Sequence, residues 1–166
     1  MEIKIIKADM RYLDDCAEIL RGSELGMRYF VNRNQEYVGK KLITESFEKK
    51  EMYVALDKEG TCVGFAWIAL SGIFHWFPYL HIIAVRADMR GKGIGKQLMA
   101  FFEEVSFVQE DCPKAFLVVG DFNTDAIALY KKLGYVQVGE IPGLYVPEIA
   151  ELLMMKERPE PQDVHP

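Results

Sequence analysis

From Val85 to Lys96 the chain reads Val-Arg-Ala-Asp-Met-Arg-Gly-Lys-Gly-Ile-Gly-Lys, with Gly91, Gly93 and Gly95 set between Arg90, Lys92 and Lys96. The segment leaves an apolar, strand-like run (Leu80–Val85) and enters a helix-like pattern. Free amides at a helix start, reinforced by the helix dipole, make a site for anions. Glycine lets the backbone come close to a phosphate, and the three cations add charge. Two common phosphate loops do not fit. The dinucleotide fingerprint needs glycine where Lys96 stands, and the P-loop needs glycine at Arg90 and Ser or Thr at Gln97. What remains is Arg90-Gly91-Lys92-Gly93-Ile94-Gly95, which taken alone reads either as an anion cradle or as a bare strand-to-helix turn.

Composition narrows the partners. The chain has 166 residues, half of them apolar, and 20 Lys+Arg against 25 Asp+Glu give a net charge of -5. That balance argues against a nucleic-acid binder, which usually carries a basic face, and suits a cationic partner such as an amine. Cys16, Cys62 and Cys112 form no Cys-x-x-Cys pair, so neither a disulfide framework nor a zinc ribbon is expected. His75, His81 and His165 show no ligand spacing with Cys or acids, and no metal is expected. The N-terminus has no signal-peptide h-region and no apolar run reaches membrane-span length, so no membrane partner and a cytoplasmic location are expected.

The elements that must hold this loop follow from periodicity. Residues 2–7 alternate as a strand, and 9–21 carry Leu13, Cys16, Ala17 and Leu20 at helical spacing behind Asp9 as the candidate cap. Gly22 and Gly26 break that pattern, and a second helix is expected across 34–50. Residues 52–56 and 62–70 form a hairpin around Asp57-Lys58-Glu59-Gly60. Residues 80–85 read as a central strand and 93–106 as a helix with Ile94, Leu98, Met99, Phe102 and Val105 on one face. A buried strand over 115–119, a helix over 123–133 capped by Asn123 and closed by Gly134, and strands over 135–138 and 151–156 complete the order. The pattern is mixed α/β.

A second motif lies about 30 residues past the glycine turn: Asn123-Thr124-Asp125-Ala126-Ile127-Ala128-Leu129-Tyr130-Lys131-Lys132-Leu133-Gly134-Tyr135. Together the two segments resemble the GNAT superfamily (Gcn5-related N-acetyltransferases), with its Arg/Gln-x-x-Gly-x-Gly/Ala loop and its Asn-x-x-Ala-x-x-x-Tyr-x-x-x-Gly-Phe/Tyr signature. The likeness covers 52–138 firmly and 1–50 in layout only. It implies an α/β fold with a central mixed sheet of about 6–7 strands flanked by about 4 helices. Residues 1–158 would form one domain and 159–166 a flexible tail, rich in Pro and charge.

The resemblance also implies a chemistry, acetyl-CoA-dependent acetylation of a primary amine on a small molecule or a peptide N-terminus. In the family the fourth and fifth strands part and acetyl-CoA wedges between them. Its pantetheine arm would pair with the backbone of Ile83, Ala84 and Val85, and the amides of Arg90, Gly91, Lys92, Gly93, Ile94, Gly95 and Lys96 would hold its pyrophosphate. Asn123 matches a contact to the cofactor arm and also suits a helix cap. Tyr130 matches the residue credited with protonating the leaving thiolate, a transfer uphill by about 2 kcal/mol unless the site biases it. An alkyl ammonium is almost wholly protonated at neutral pH, so a base helps. His81 is the candidate, two residues before Ile83 and, by strict alternation, on the face of Ile83 and Val85. Leu80–Val85 is similar to the histidine-bearing strand of the arylalkylamine N-acetyltransferase branch, whose second histidine is replaced here by Tyr79.

The acceptor would lie among Tyr29, Phe30, Phe77, Tyr79 and Tyr145. The run Phe74-His75-Trp76-Phe77-Pro78-Tyr79 reads either as an aromatic wall for a cationic acceptor or as a strand end packed on a helix or subunit. Many family members are dimers, so a homodimer is a further expected partner, through 74–79 and the last strands. A non-catalytic, CoA-binding regulatory module is the rival reading, against which the intact Asn123 and Tyr130 speak.

Overall fold

A computed structural model of the chain describes residues 1–32, 34 and 36–160. In order, the elements are β1 (Lys4–Lys7), α1 (Leu13–Arg21), α2 (Glu24–Tyr29), α3 (Gly39–Glu48), β2 (Met52–Leu56), β3 (Cys62–Ile73) and β4 (Phe77–Val85). Then follow α4 (Ile94–Glu103), β5 (Lys114–Gly120), α5 (Thr124–Lys132), β6 (Val136–Pro142) and β7 (Ala150–Glu157). The mixed α/β class and the seven strands agree with expectation. Among the described residues no helix is long and apolar enough to cross a membrane.

The strands form one sheet in the order β1-β2-β3-β4-β5-β7-β6. All neighbours run antiparallel except β4 and β5, which are parallel and pair only at Tyr79–Phe116 and Leu80–Leu117. Past Leu80 the two strands part, as the resemblance implies. Each face of the sheet buries its own core, because the apolar stripes of the helices need a partner surface. Ile94, Leu98, Met99 and Phe102 of α4 pack on one face with Tyr130 and Tyr135. Cys16, Ala17 and Leu20 of α1 and Ile43 and Phe47 of α3 pack on the other, over Val54, Phe65, Trp67, Ile82 and Ala84.

Two expectations are corrected. Gly26 does not end helical structure but sits inside an extra helix, α2, so five α-helices flank the sheet. Ser23 caps α2 by accepting from the Gly26 amide (2.9 Å). A Cβ on Gly26 would stand 1.9 Å from the Leu20 carbonyl oxygen, so glycine is what allows α2 to fold tightly onto the end of α1. The second correction concerns His81. Trp67 pairs with Ile82 while the next residue, Ile68, pairs with Leu80. His81 is therefore the extra residue of a β-bulge, and strict alternation fails there. Ile83 and Val85 face the α4 core, whereas His81 stacks on Trp67 of the opposite core.

The boundaries shift elsewhere. The expected helix over 93–106 ends at Glu103 and passes into a π-helical turn, Glu104–Gln109. The expected helix over 34–50 begins only at Gly39, and residue 35 of that span lies outside the described residues. Of the expected flexible tail 159–166, residues 161–166 also lie outside them.

Candidate active site

The glycine turn ends in Gly93, which is the N-cap of α4 at φ +80°, and Gly91 lies at φ +73°. L side chains rarely adopt this left-handed backbone, so glycine is required by conformation. Space is not the constraint, since a Cβ at either residue would meet nothing within 4 Å. No side chain caps α4. Its first internal bond runs from the Gln97 amide to the Gly93 carbonyl (3.1 Å), which leaves the amides of Ile94, Gly95 and Lys96 pointing out of the helix start.

Arg90 has a different part from the cationic one its charge suggests. Its Nε donates to the Val85 carbonyl (3.2 Å) and its terminal nitrogen to the Gly22 carbonyl (3.0 Å). The guanidinium thus straps the end of β4 to the end of α1. Replacing it (Arg90→Ala) is expected to cost about 1 kcal/mol, seen as a fall of about 2–4 °C in unfolding temperature. An unchanged melting curve would show that the strap carries no stability. Lys92 reaches the Met89 sulfur (3.4 Å).

Where β4 and β5 part, a cleft of about 510 Å³ opens. Leu80–Ile83 and Leu117–Gly120 form its two edges, and Asn123 and Tyr130 enter from the α5 side. Asn123 accepts from the Ala126 amide (3.3 Å), so it does cap α5 while also lining the cleft. Tyr130 is 7% exposed. Burial pushes its phenol up to about 12, because the anion is penalised away from water.

His81 also lines the cleft. Its ring stacks on Trp67 (4.5 Å between centroids, 19° between planes) and meets the edge of Tyr79 (4.4 Å). Burial lowers its pKa, against the pull of Glu51 and Glu45 and with the help of Lys49. The imidazole is therefore neutral at neutral pH, the form a base needs.

Of the expected acceptor residues, Tyr29, Phe30, Tyr79 and Tyr145 line the same cleft. Phe77 does not: its ring packs against Phe116 (5.5 Å). Phe74 and Trp76 stand 70% and 71% exposed at the tip of the β3–β4 hairpin, so the 74–77 run is no wall of this cleft. Ala84, Val85 and the glycine turn lie beyond the lining, continuing along β4 toward α4.

Sequence reasoning missed Leu25, Leu42, Glu45, Trp67, Phe122 and Leu144, which also line the cleft. It missed Glu151 as well, 2% exposed in the cleft wall, with the Tyr29 hydroxyl donating to its Oε1. A signal existed: Glu151 interrupts the apolar run Ile149–Met155, where an inward charge asks for an explanation. Burial, aided by the nearby Asp121 charge, raises its pKa; the Tyr29 bond opposes this.

A seven-stranded mixed sheet parted between its parallel strands, with a glycine-led helix at one end of the gap, defines a class as well as a cleft. The model of the Acetyltransferase (GNAT) family matches residues 14–135, and the chain belongs to that family. It is 33% identical over 105 residues to an uncharacterized protein of Mycobacterium leprae, a match covering 63% of this chain and 28% of that one. It is 35% identical over 88 residues to the N-alpha-acetyltransferase RimI of Mycobacterium tuberculosis, covering 52% of this chain and 53% of that one. The aligned stretches thus span about half or less of these two relatives. The crystal structure of Ard1 from Thermoplasma volcanium superposes with a TM-score of 0.79 at 21% identity, covering 96% of this chain and 100% of that one. At that identity the likeness concerns the fold.

Proposed function

We propose that the chain is an acetyl-CoA-dependent N-acetyltransferase that moves an acetyl group to a primary amine, on a small molecule or a peptide N-terminus, by direct attack. The observation that carries this reading is the convergence of three features on one gap. These are the unpaired edge of β4 past Leu80, the uncapped glycine start of α4, and Tyr130 with Asn123 in the wall. The residues fit the co-substrate. The amides of Ile94, Gly95 and Lys96 suit its pyrophosphate, and the edge of β4 at Ile83–Val85 suits an extended arm that pairs as a strand would.

Bound acetyl-CoA would supply the activated acyl group as a thioester. The chain's own work is to hold the amine against it, which alone accounts for a large share of the rate. Aromatic faces of Tyr29, Trp67, Tyr79 and Tyr145 and the carboxylates of Glu45 and Glu151 favour a cationic acceptor over an anionic one. Tyr130 gives its phenolic proton to the departing thiolate. His81, neutral and half-buried beside Trp67, is one base within the cleft.

The test is amine-dependent release of CoA thiol from acetyl-CoA, with phenethylamine and with a short peptide beginning in alanine. The peptide is included because a relative is named an N-alpha-acetyltransferase. Thiol release that requires one of these amines is the expected result. Binding of acetyl-CoA with no release in the presence of either would favour the non-catalytic alternative.

A further inference from the structure

Beyond favouring a cation, Glu151 has no part in the transfer as set out above, yet it is the most buried carboxylate in the cleft. Antiparallel pairing of β5 with β7 sets it opposite Gly120. Gly120 leaves the room that brings Tyr29 to it, since a Cβ there would stand 2.4 Å from the Tyr29 hydroxyl oxygen. Among the described residues its one hydrogen-bond partner is that hydroxyl, and no Lys or Arg pairs with it. The groups that face it are Tyr29 from α2, Tyr79 from β4 and Asp121 after β5, with Tyr145 of the β6–β7 loop beside the two tyrosines. None of these is a cation. A carboxylate kept almost wholly from water with one neutral partner is a costly arrangement.

Its orientation suggests what it is for. Because the Tyr29 hydrogen points at Glu151, the lone pairs of the phenol oxygen are left for a donor entering the cleft. An ammonium is such a donor, with three N–H groups to place.

We propose that Tyr29 and Glu151 form a proton relay that neutralises the acceptor amine. The relay rests on the N-acetyltransferase reading. One N–H bond of the ammonium breaks and its proton passes to the Tyr29 oxygen. The phenol's own proton passes to Glu151 Oε1. The amine keeps the electron pair of the broken bond and attacks with it, Tyr29 ends unchanged, and Glu151 holds the proton until it returns to solvent. Tyr29 touches the substrate; Glu151 acts through it. Burial raises the pKa of the carboxyl, which makes it a stronger base than an exposed glutamate.

The test is the pH profile of kcat/KM for phenethylamine in the wild type, Glu151→Gln and Tyr29→Phe, with aniline as an acceptor that is already neutral. Glutamine can still accept from Tyr29, so the geometry is kept and the base removed. Both variants are expected to lose about 100-fold or more in kcat/KM for phenethylamine. Their residual rate should rise about tenfold per pH unit, following the free amine in solution. Affinity for acetyl-CoA should stay within about twofold of the wild type, and the loss toward aniline should be at least about tenfold smaller than the loss toward phenethylamine. If Glu151→Gln fails to fold, Tyr29→Phe, a change at a partly exposed side chain, decides alone. A variant that keeps the wild-type rate and profile would overturn the relay while leaving the transferase reading standing. So would a profile that is lost only in His81→Gln. A wild type that acetylates neither phenethylamine nor the alanyl peptide would overturn the transferase reading, and the relay with it.

Discussion

Gly93→Val is expected to weaken acetyl-CoA binding about 10- to 100-fold. Two separate effects combine. Residue 93 caps α4 at φ +80°, a conformation that costs an ordinary L residue roughly 1–2 kcal/mol, and more when the side chain is β-branched. The valine side chain would also stand in the open space over the helix start, where nothing of the protein lies within 4 Å and where the anion is expected to dock. At about 1.4 kcal/mol per factor of ten, the two together give the stated range. Gly93→Asn separates them, because asparagine tolerates the left-handed region. The expected order of affinity is glycine, then asparagine, then valine. Isothermal titration of the three proteins with acetyl-CoA checks it, and equal affinities would mean that the turn is only a connection between β4 and α4.

Tyr130→Phe should lower kcat by about 10²–10⁴-fold, the usual worth of a positioned general acid, with acetyl-CoA affinity changed by less than about twofold. The side chain is buried in the α4 core, and its hydroxyl makes no hydrogen bond to the described protein among those formed by side chains. Removing that hydroxyl therefore strands no partner, and the variant should melt at the wild-type temperature or slightly above it. The pH dependence has a definite sign. With its phenol raised to about 12 from an ordinary value near 10, Tyr130 stays protonated through the neutral range. Any stability linked to the raised value is fully present below about pH 10 and is lost only as pH climbs through the folded value. Loss of donor activity between mildly acidic and neutral pH would therefore point to another group. An unchanged kcat in Tyr130→Phe would remove Tyr130 from the chemistry.

The parts of this architecture that rest on local pattern were legible from residues alone. Glycines at alternate positions after a β-branched run announce the β4–α4 turn, and Asn123 and Gly134 bracket α5 as cap and stop. Periodicity failed where a contact distant in sequence overrides it. Gly26 looks like a helix breaker, but its lack of a Cβ is what lets α2 pack within reach of the Leu20 carbonyl. The bulge at His81 depends on the register against Trp67 and Ile68, which alternation within one strand cannot reveal, so strict alternation puts the histidine on the wrong face. The Tyr29–Glu151 bond joins residues 122 positions apart; only the β5–β7 pairing and the placement of α2 bring them together. The resemblance puts Phe77 at the acceptor site, and the hairpin geometry turns it toward Phe116 instead.

Isothermal titration of the purified protein with acetyl-CoA, with CoA and NAD as comparators, tests the central claim most directly. Saturable binding of acetyl-CoA and CoA with NAD silent is the predicted result, since the turn departs from the dinucleotide fingerprint at Lys96. Absence of acetyl-CoA binding, or binding of NAD in its place, would contradict the account of the cleft and of the reaction proposed for it.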